Sequence, residues 1–240
     1  MSELPLFDST GLERVLCVVA HPDDMEYGAS AAVSAWTTAG VEVTYLLLTH
    51  GEAGMPDHPD EVRRIRPAEQ QRACEQVGVE DLRVLDHPDG VLELTLGLRR
   101  DIARVIRQVR PQAVVTMGWA DIAPWGVNQA DHRVAGLSTA DAVSAAGNRW
   151  IFPELVDDEG LEPWSTTWLL VTGTADPDQV IEVGAHDVAA AVASLEQHEA
   201  YLAALPNHPV PAEFIPQILA GGGGRAGVEA GLPVRAFKVG

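Results

Sequence analysis

The chain has 240 residues, 46% hydrophobic and 21% charged, enough for one large domain with a well-buried core. Sixteen basic residues against 35 acidic ones leave a formal charge of -19, a field that repels phosphate backbones and anionic lipid heads. Nucleic acid and bilayers are therefore set aside as partners, and a neutral or weakly cationic small molecule fits better.

In chain order, residues 1–10 carry neither the basic start nor the apolar stretch of a signal peptide. No run approaches the roughly 18 apolar residues of a membrane span, so a soluble, cytoplasmic chain is expected. Residues 14–20 (RVLCVVA) form a valine-rich apolar run, as do 41–48, 113–117 and 168–171. Short unbroken runs of this kind suit strands buried on both faces of a parallel sheet. Cys17 falls inside the first run and reads as a buried thiol; two cysteines make no disulfide framework.

Helical patterns alternate with these strands. Residues 27–39 end at Gly40, residues 61–77 at Gly78 and residues 131–146 at Gly147, each glycine a plausible cap. A short strand is expected near Arg83. Leu98, Ile102, Val105, Ile106 and Val109 make one apolar stripe, with Arg99, Arg100, Arg104 and Arg107 on the other side. That helix should stop at Arg110, because Pro111 disfavours helical geometry in the residue before it. After Asn148 the chain becomes irregular, then continues with a strand, a helix over 184–205 and four glycines, 221–224, read as a mobile loop. The alternation predicts a three-layer α/β fold: a single doubly wound, mostly parallel, Rossmann-like domain over 1–240. Its motif-bearing core spans 13–148 and a C-terminal elaboration 149–240.

In open α/β sheets ligands bind beyond the carboxyl ends of the strands. The first strand runs into Ala20-His21-Pro22-Asp23-Asp24, the second into Thr49-His50-Gly51-Glu52-Ala53-Gly54, and the strand at Val114-Val115 into a Trp-rich loop ending at Asp131-His132. A catalytic zinc takes three protein ligands and leaves a position for water. His21 and Asp24 can share one side of a turn, and His132 is the natural third. Asp23 is then spare, and is placed to take a proton from an attacking water. Read alone, His-Pro-Asp-Asp is a helix-capping turn; it is the convergence of three loops that favours chemistry.

These residues resemble the LmbE-like (PIG-L) N-deacetylase family. Thr49-His50-Gly51-Glu52-Ala53-Gly54, Arg66-Pro67-Ala68-Glu69, Val77-Gly78-Val79 and Arg110-Pro111 follow in the family's order, clearly from about Val15 to Gly136 and weakly in the last third. The resemblance implies zinc on His21, Asp24 and His132, with Fe(II) able to occupy the same ligands. It also implies Asp23 as general base, Asp131 orienting the metal site, and Arg66 on substrate hydroxyls. Two departures stand out. Met25 replaces a usual glutamate, with Glu26 adjacent but expected to point elsewhere. Gln129 replaces the first histidine of the family's His-Pro-Asp-His, and a glutamine offers only a neutral hydrogen bond to the amide.

Other residues are open to two readings. His198 on a C-terminal helix is either an active-site acid or a packing histidine. His87-Pro88-Asp89-Gly90 reads as a turn, with Asp89 a candidate lining residue. Trp119 and Trp125 suit stacking on a sugar or an acyl chain, or simple packing. His50 and His58 have no clear partner. Gly28-Ala29-Ser30 and 221–227 fail as a nucleophile elbow and a phosphate loop. The expected activity is zinc-dependent removal of an N-acetyl or N-acyl group from a small amino sugar, a homo-oligomer being allowed. The alternatives are an amidase for longer acyl groups or thiol conjugates, and a zinc- and sugar-binding protein without turnover.

Overall fold

A computed structural model describes residues 3–240. In chain order the elements are β1 (Arg14–Val19), α1 (Ala29–Thr38), β2 (Glu42–Leu47), α2 (Pro59–Gln76), β3 (Asp81–Val84), α3 (Leu96–Val109) and β4 (Ala113–Met117). A short ribbon of β5 (Ile122–Ala123) and β6 (Gly126–Val127) follows, then α4 (Ala130–Ala146) and α5 (Glu154–Asp157). The chain closes with β7 (Trp168–Thr172), β8 (Gln179–Glu182), α6 (Ala185–Glu196), α7 (Glu199–Ala204), α8 (Pro211–Gly223) and β9 (Gly231–Lys238).

Seven strands form one sheet in the order β3-β2-β1-β4-β7-β9-β8. The pairs β2–β3, β1–β2, β1–β4 and β4–β7 are parallel; β9 runs antiparallel to both β7 and β8. The doubly wound, mostly parallel sheet expected from the apolar runs is therefore what forms. The interior strand β1 and the residue after it show why the runs are unbroken. Val15, Cys17 and Val19 pack into one core with α1, α2, α6 and α8, while Leu16, Val18 and Ala20 pack into the other with α3 and α4. With both faces covered, no position is left for a polar residue. Each fully buried Leu, Ile or Val contributes roughly 1.5–3 kcal/mol. Cys17 and Cys74 are free and buried.

Several local expectations are corrected by long-range packing. Residues 221–224 are not a loop: α8 continues to Gly223. A Cβ on Gly223 would lie 2.7 Å from Ala230, so glycine lets the helix end close onto β9. The helix expected over 184–205 breaks at Gln197-His198 into α6 and α7. Arg107, expected on the solvated side of α3, is buried and donates to the carbonyls of Ala146, Asn148 and Ile151 at 3.1, 2.9 and 3.1 Å. It serves as the cap of α4 that Gly147, with φ -77°, does not supply. Helix α3 ends at Val109, and Arg110 before Pro111 is left-handed at φ 55°. Among the described residues, no helix is long and apolar enough to cross a membrane.

Candidate metal centre at the carboxyl edge of the sheet

Four chain segments meet beyond the carboxyl ends of the parallel strands: the turn after β1, the loop after β2, the loop after β3, and the first turn of α4. Asp24 lies between two imidazoles, its Oδ2 3.5 Å from His21 Nδ1 and its Oδ1 3.1 Å from His132 Nε2. The Asp24 Oδ2 also accepts the His21 backbone N–H at 2.7 Å, which locks the turn. One ligand atom from each of the three residues lies within 4.8 Å of the others, close enough to share one ion.

A second set, His21 with Asp89 and Asp131, satisfies the same distance test. Hydrogen bonding decides between them. Asp131 accepts the backbone N–H groups of Gly90 and Leu92 at 2.7 and 3.1 Å. Asp89 accepts from Thr49 Oγ1 and the Ala53 N–H at 3.2 and 2.7 Å. Both carboxylates also face His21 Nε2, at 3.0 Å for Asp89 and 3.4 Å for Asp131. A proton on Nε2 satisfies that pair and leaves the Nδ1 lone pair directed at the Asp24 side, the usual support for a metal-binding histidine. The first set is thus the one free to hold a cation, and its two nitrogens and one carboxylate suit zinc or Fe(II).

The electrostatics agree. Burial alone would raise the Asp24 carboxyl, but the His132 and His21 rings hold it far below the ordinary carboxylate range. Burial opposes charge on His21, yet Asp24, Asp131 and Asp89 together lift its pKa well above the usual imidazole value. The cluster attracts positive charge.

Asp23, next in the chain, turns the other way. It is 4% exposed and sits at φ 87°, a backbone that non-glycine residues rarely adopt. Its Oδ1 accepts from Arg66 Nη2 at 2.6 Å, and its N–H donates to Gln70 Oε1 at 2.8 Å. The Tyr201 and Tyr27 hydroxyls face the carboxylate. Burial pushes its pKa up to about 6, against the pull of Arg66 and with help from Asp24.

Arg66 is itself enclosed. Its guanidinium donates to Pro22 O at 2.5 Å and Gly51 O at 3.0 Å, lies 4.0 Å from the Tyr201 ring, and is 2% exposed. A Cβ on Gly54 would come 2.5 Å from Arg66 Nη1, and one on Gly51 would collide with the same group. The glycines of the loop after β2 thus make room for the arginine.

The remaining sequence candidates scatter. Gln129 is the exposed N-cap of α4 and its side chain makes no capping bond. Trp119 stacks on Phe237 with ring centroids 6.4 Å apart. It lines a neighbouring cavity of about 190 Å³ with Asn128, Asp176 and Arg235, and none of the three ligand residues lines it. Trp125 is exposed. His198 is fully buried, 3.8 Å from Glu26 Oε2, with neither ring nitrogen hydrogen-bonded. Burial, followed by the Arg66 and Arg72 charges, pushes it down to about 3, so it is a neutral ring facing inward. His50 pairs with Asp86, His87 with Asp101, and His58 caps α2.

Gln70, Glu26, Tyr27 and Tyr201 escape a motif reading. Gln70 carried a faint signal, lying one helical turn beyond Arg66; Tyr201 carried none.

Fold and site together define an α/β protein with a His-Asp-His centre competent to bind a metal at the carboxyl edge of its sheet. The family model of the PIG-L, GlcNAc-PI de-N-acetylase family matches residues 16–143, and the chain belongs to that family. It is 36% identical over 143 residues to diacetylchitobiose deacetylase of Thermococcus kodakarensis, covering 57% of this chain and 51% of that protein. It is 32% identical over 172 residues to 1D-myo-inositol 2-acetamido-2-deoxy-alpha-D-glucopyranoside deacetylase of Kineococcus radiotolerans, covering 56% and 48%. The match thus spans about half the length of these curated relatives. The fold is similar to that of N,N'-diacetylchitobiose deacetylase from Pyrococcus horikoshii, with TM-score 0.84, 22% identity, and coverage of 97% of this chain and 88% of that one.

Proposed function

We propose that this chain hydrolyses the N-acetyl amide of a small amino sugar or its conjugate, with a divalent cation held by His21 Nδ1, Asp24 and His132 Nε2. The observation that carries the reading is the approach of one ligand atom from each of these residues to within 4.8 Å of the others, beside a buried carboxylate that is not one of them. Zinc is the ion we assign, with Fe(II) the substitute. When bound, such an ion polarises the amide carbonyl and makes water a nucleophile near neutral pH.

The chain's own residues do the rest. Asp23 takes the proton from the water that attacks the carbonyl carbon. When the C–N bond breaks, it returns that proton to the leaving nitrogen, so acetate and a free amine depart. Arg66 holds the Asp23 carboxylate in place rather than reaching for substrate hydroxyls, since its donors point inward. Asp131 and Asp89 keep the proton on His21 Nε2. Gln129, at the open side, offers a neutral amide hydrogen bond to the substrate. His198 stays behind the site and takes no proton.

The acyl group we assign is acetyl. Support for acetyl comes from the relatives, which are named as deacetylases; the cavity beside Trp119 mixes Ile122, Val171 and Phe237 with Asn128, Asp176 and Arg235 and is lined by none of the ligand residues. Amine release by the zinc-loaded protein across N-acetylglucosamine, diacetylchitobiose and N-acetylglucosaminyl conjugates tests the reading. Stoichiometric zinc with no release above background would replace it with a binding role.

A further inference from the structure

Asp23 keeps a strained backbone conformation, and strain of this kind persists only where the surroundings over-determine it. Arg66 accounts for the carboxylate and the Pro22 carbonyl. One turn further along α2, on the same face, Gln70 accounts for the backbone. Its Oε1 accepts the Asp23 N–H at 2.8 Å while its Nε2 donates to Glu26 Oε1 at 3.0 Å. Ser194 Oγ, on α6, reaches the same Glu26 oxygen at 3.1 Å. Gln70, Glu26 and Ser194 are all buried, so none of these bonds competes with water.

The position demands an amide. One side must accept from a peptide N–H and the other must donate to a carboxylate; the amides of Asn and Gln and the hydroxyls of Ser and Thr do both without titrating, and of these only Gln has the reach. A glutamate there would set a second carboxylate against Glu26. An apolar side chain would strand the Asp23 N–H in a dry interior and leave Glu26 Oε1 with Ser194 alone.

The geometry points to Gln70 as a positioning residue for the reaction: its amide ties the Asp23 peptide to the buried Glu26–Ser194 pair and holds the proposed base at its strained φ. The inference rests on the reading of Asp23 as base. Gln70 touches neither substrate nor ligand residues, so its effect should appear in turnover and not in substrate or metal binding.

A double-mutant cycle tests this. Gln70→Met, close to glutamine in volume but without hydrogen bonds, is compared with the parent in the native and Asp23→Ala backgrounds. In the native background kcat should fall about ten- to a hundredfold, as for a displaced catalytic group, with KM and zinc content unchanged. In the Asp23→Ala background the same substitution should change kcat by less than about twofold, because the residue it acts through is gone. An equal fall in both backgrounds, or an unchanged kcat in the native one, overturns the inference. Should Gln70→Met not fold, Gln70→Asn, neutral but too short to span both partners, runs the same cycle with the fall in kcat again expected only in the native background. A crystal structure of metal-free Gln70→Met decides independently of turnover. Residue 23 should relax to negative φ, and a backbone still near φ 87° refutes the role of Gln70. If the native protein releases no amine from any probe, the proposed reaction fails while that structure still decides the positioning.

Discussion

The two flanks of the centre are built on opposite principles. On the Asp23 flank every group is enclosed: Arg66, Gln70 and Glu26 are buried, and Tyr201 lies over the guanidinium. On the His132 flank the first turn of α4 opens outward, with the His132 side chain 19% exposed and Gln129 free at the N-cap. The difference shows where the chain tolerates change. A buried, mutually bonded group cannot be exchanged without orphaning its partners. An exposed cap can, and Gln129 is one of the two places where this sequence leaves its family's pattern; the other, Met25, is a buried apolar side chain that needs no hydrogen-bond partner.

The largest effect should come from removing the hinge between the flanks. Asp24 touches both imidazoles, so Asp24→Ala should lose most bound zinc and drop turnover to background, as should His21→Ala and His132→Ala. Metal analysis of the purified variants checks this, and stoichiometric zinc in all three would discard the ligand assignment. Asp23→Ala comes next. It should keep its zinc, because Asp23 faces Arg66 and is no ligand, yet lose on the order of 100-fold in turnover. Near-native kcat with normal metal content would move the base elsewhere.

A smaller effect tests the enclosure itself. His198 is depressed to about 3 by burial and by the Arg66 and Arg72 charges, and among the described residues Glu26 alone brings a carboxylate oxygen within 4.0 Å of its ring nitrogens, at 3.8 Å. Between about pH 3 and 6.5 the unfolded chain therefore binds a proton there that the folded chain refuses, so this histidine costs stability as pH falls through that window. His198→Leu removes the penalty. Relative to the parent, the variant should gain roughly 1–2 kcal/mol on going from pH 7 to pH 5, read from denaturant midpoints. A pH-independent difference would mean that His198 is not held neutral.

The smallest effect is expected on the open flank. Gln129→His should leave stability within about 0.5 kcal/mol, as at an ordinary exposed site. It adds a titrating group whose charged hydrogen bond is roughly twice as strong as a neutral one. The kcat/KM profile should gain or shift one ionisation; identical profiles would remove Gln129 from the reacting centre.

Local chemistry was enough for part of this molecule. The unbroken apolar runs of β1, β2 and β4 announce strands buried on both faces, because no other short element hides every residue. The stripe of α3 shows a helix with one covered side. His21, Asp24 and His132 were legible because a parallel sheet sends all its carboxyl ends to one edge, so motifs far apart in sequence are neighbours by rule. What the chain could not announce depends on who packs against whom. Gly221, Gly222 and Gly223 read as a loop until α8 is seen ending against β9, where Gly222 and Gly223 leave no room for a Cβ. Arg107 reads as a surface charge until the end of α4 arrives to use its donors. Asp89 and Asp131 lie far apart along the chain and only the fold sets both on His21 Nε2, which chooses the ring nitrogen left for a metal. Arg66 shows the limit most clearly. Its spacing identifies a family arginine, but which way a guanidinium points is decided by the carbonyls and carboxylate around it, and here Pro22, Gly51 and Asp23 turn it inward.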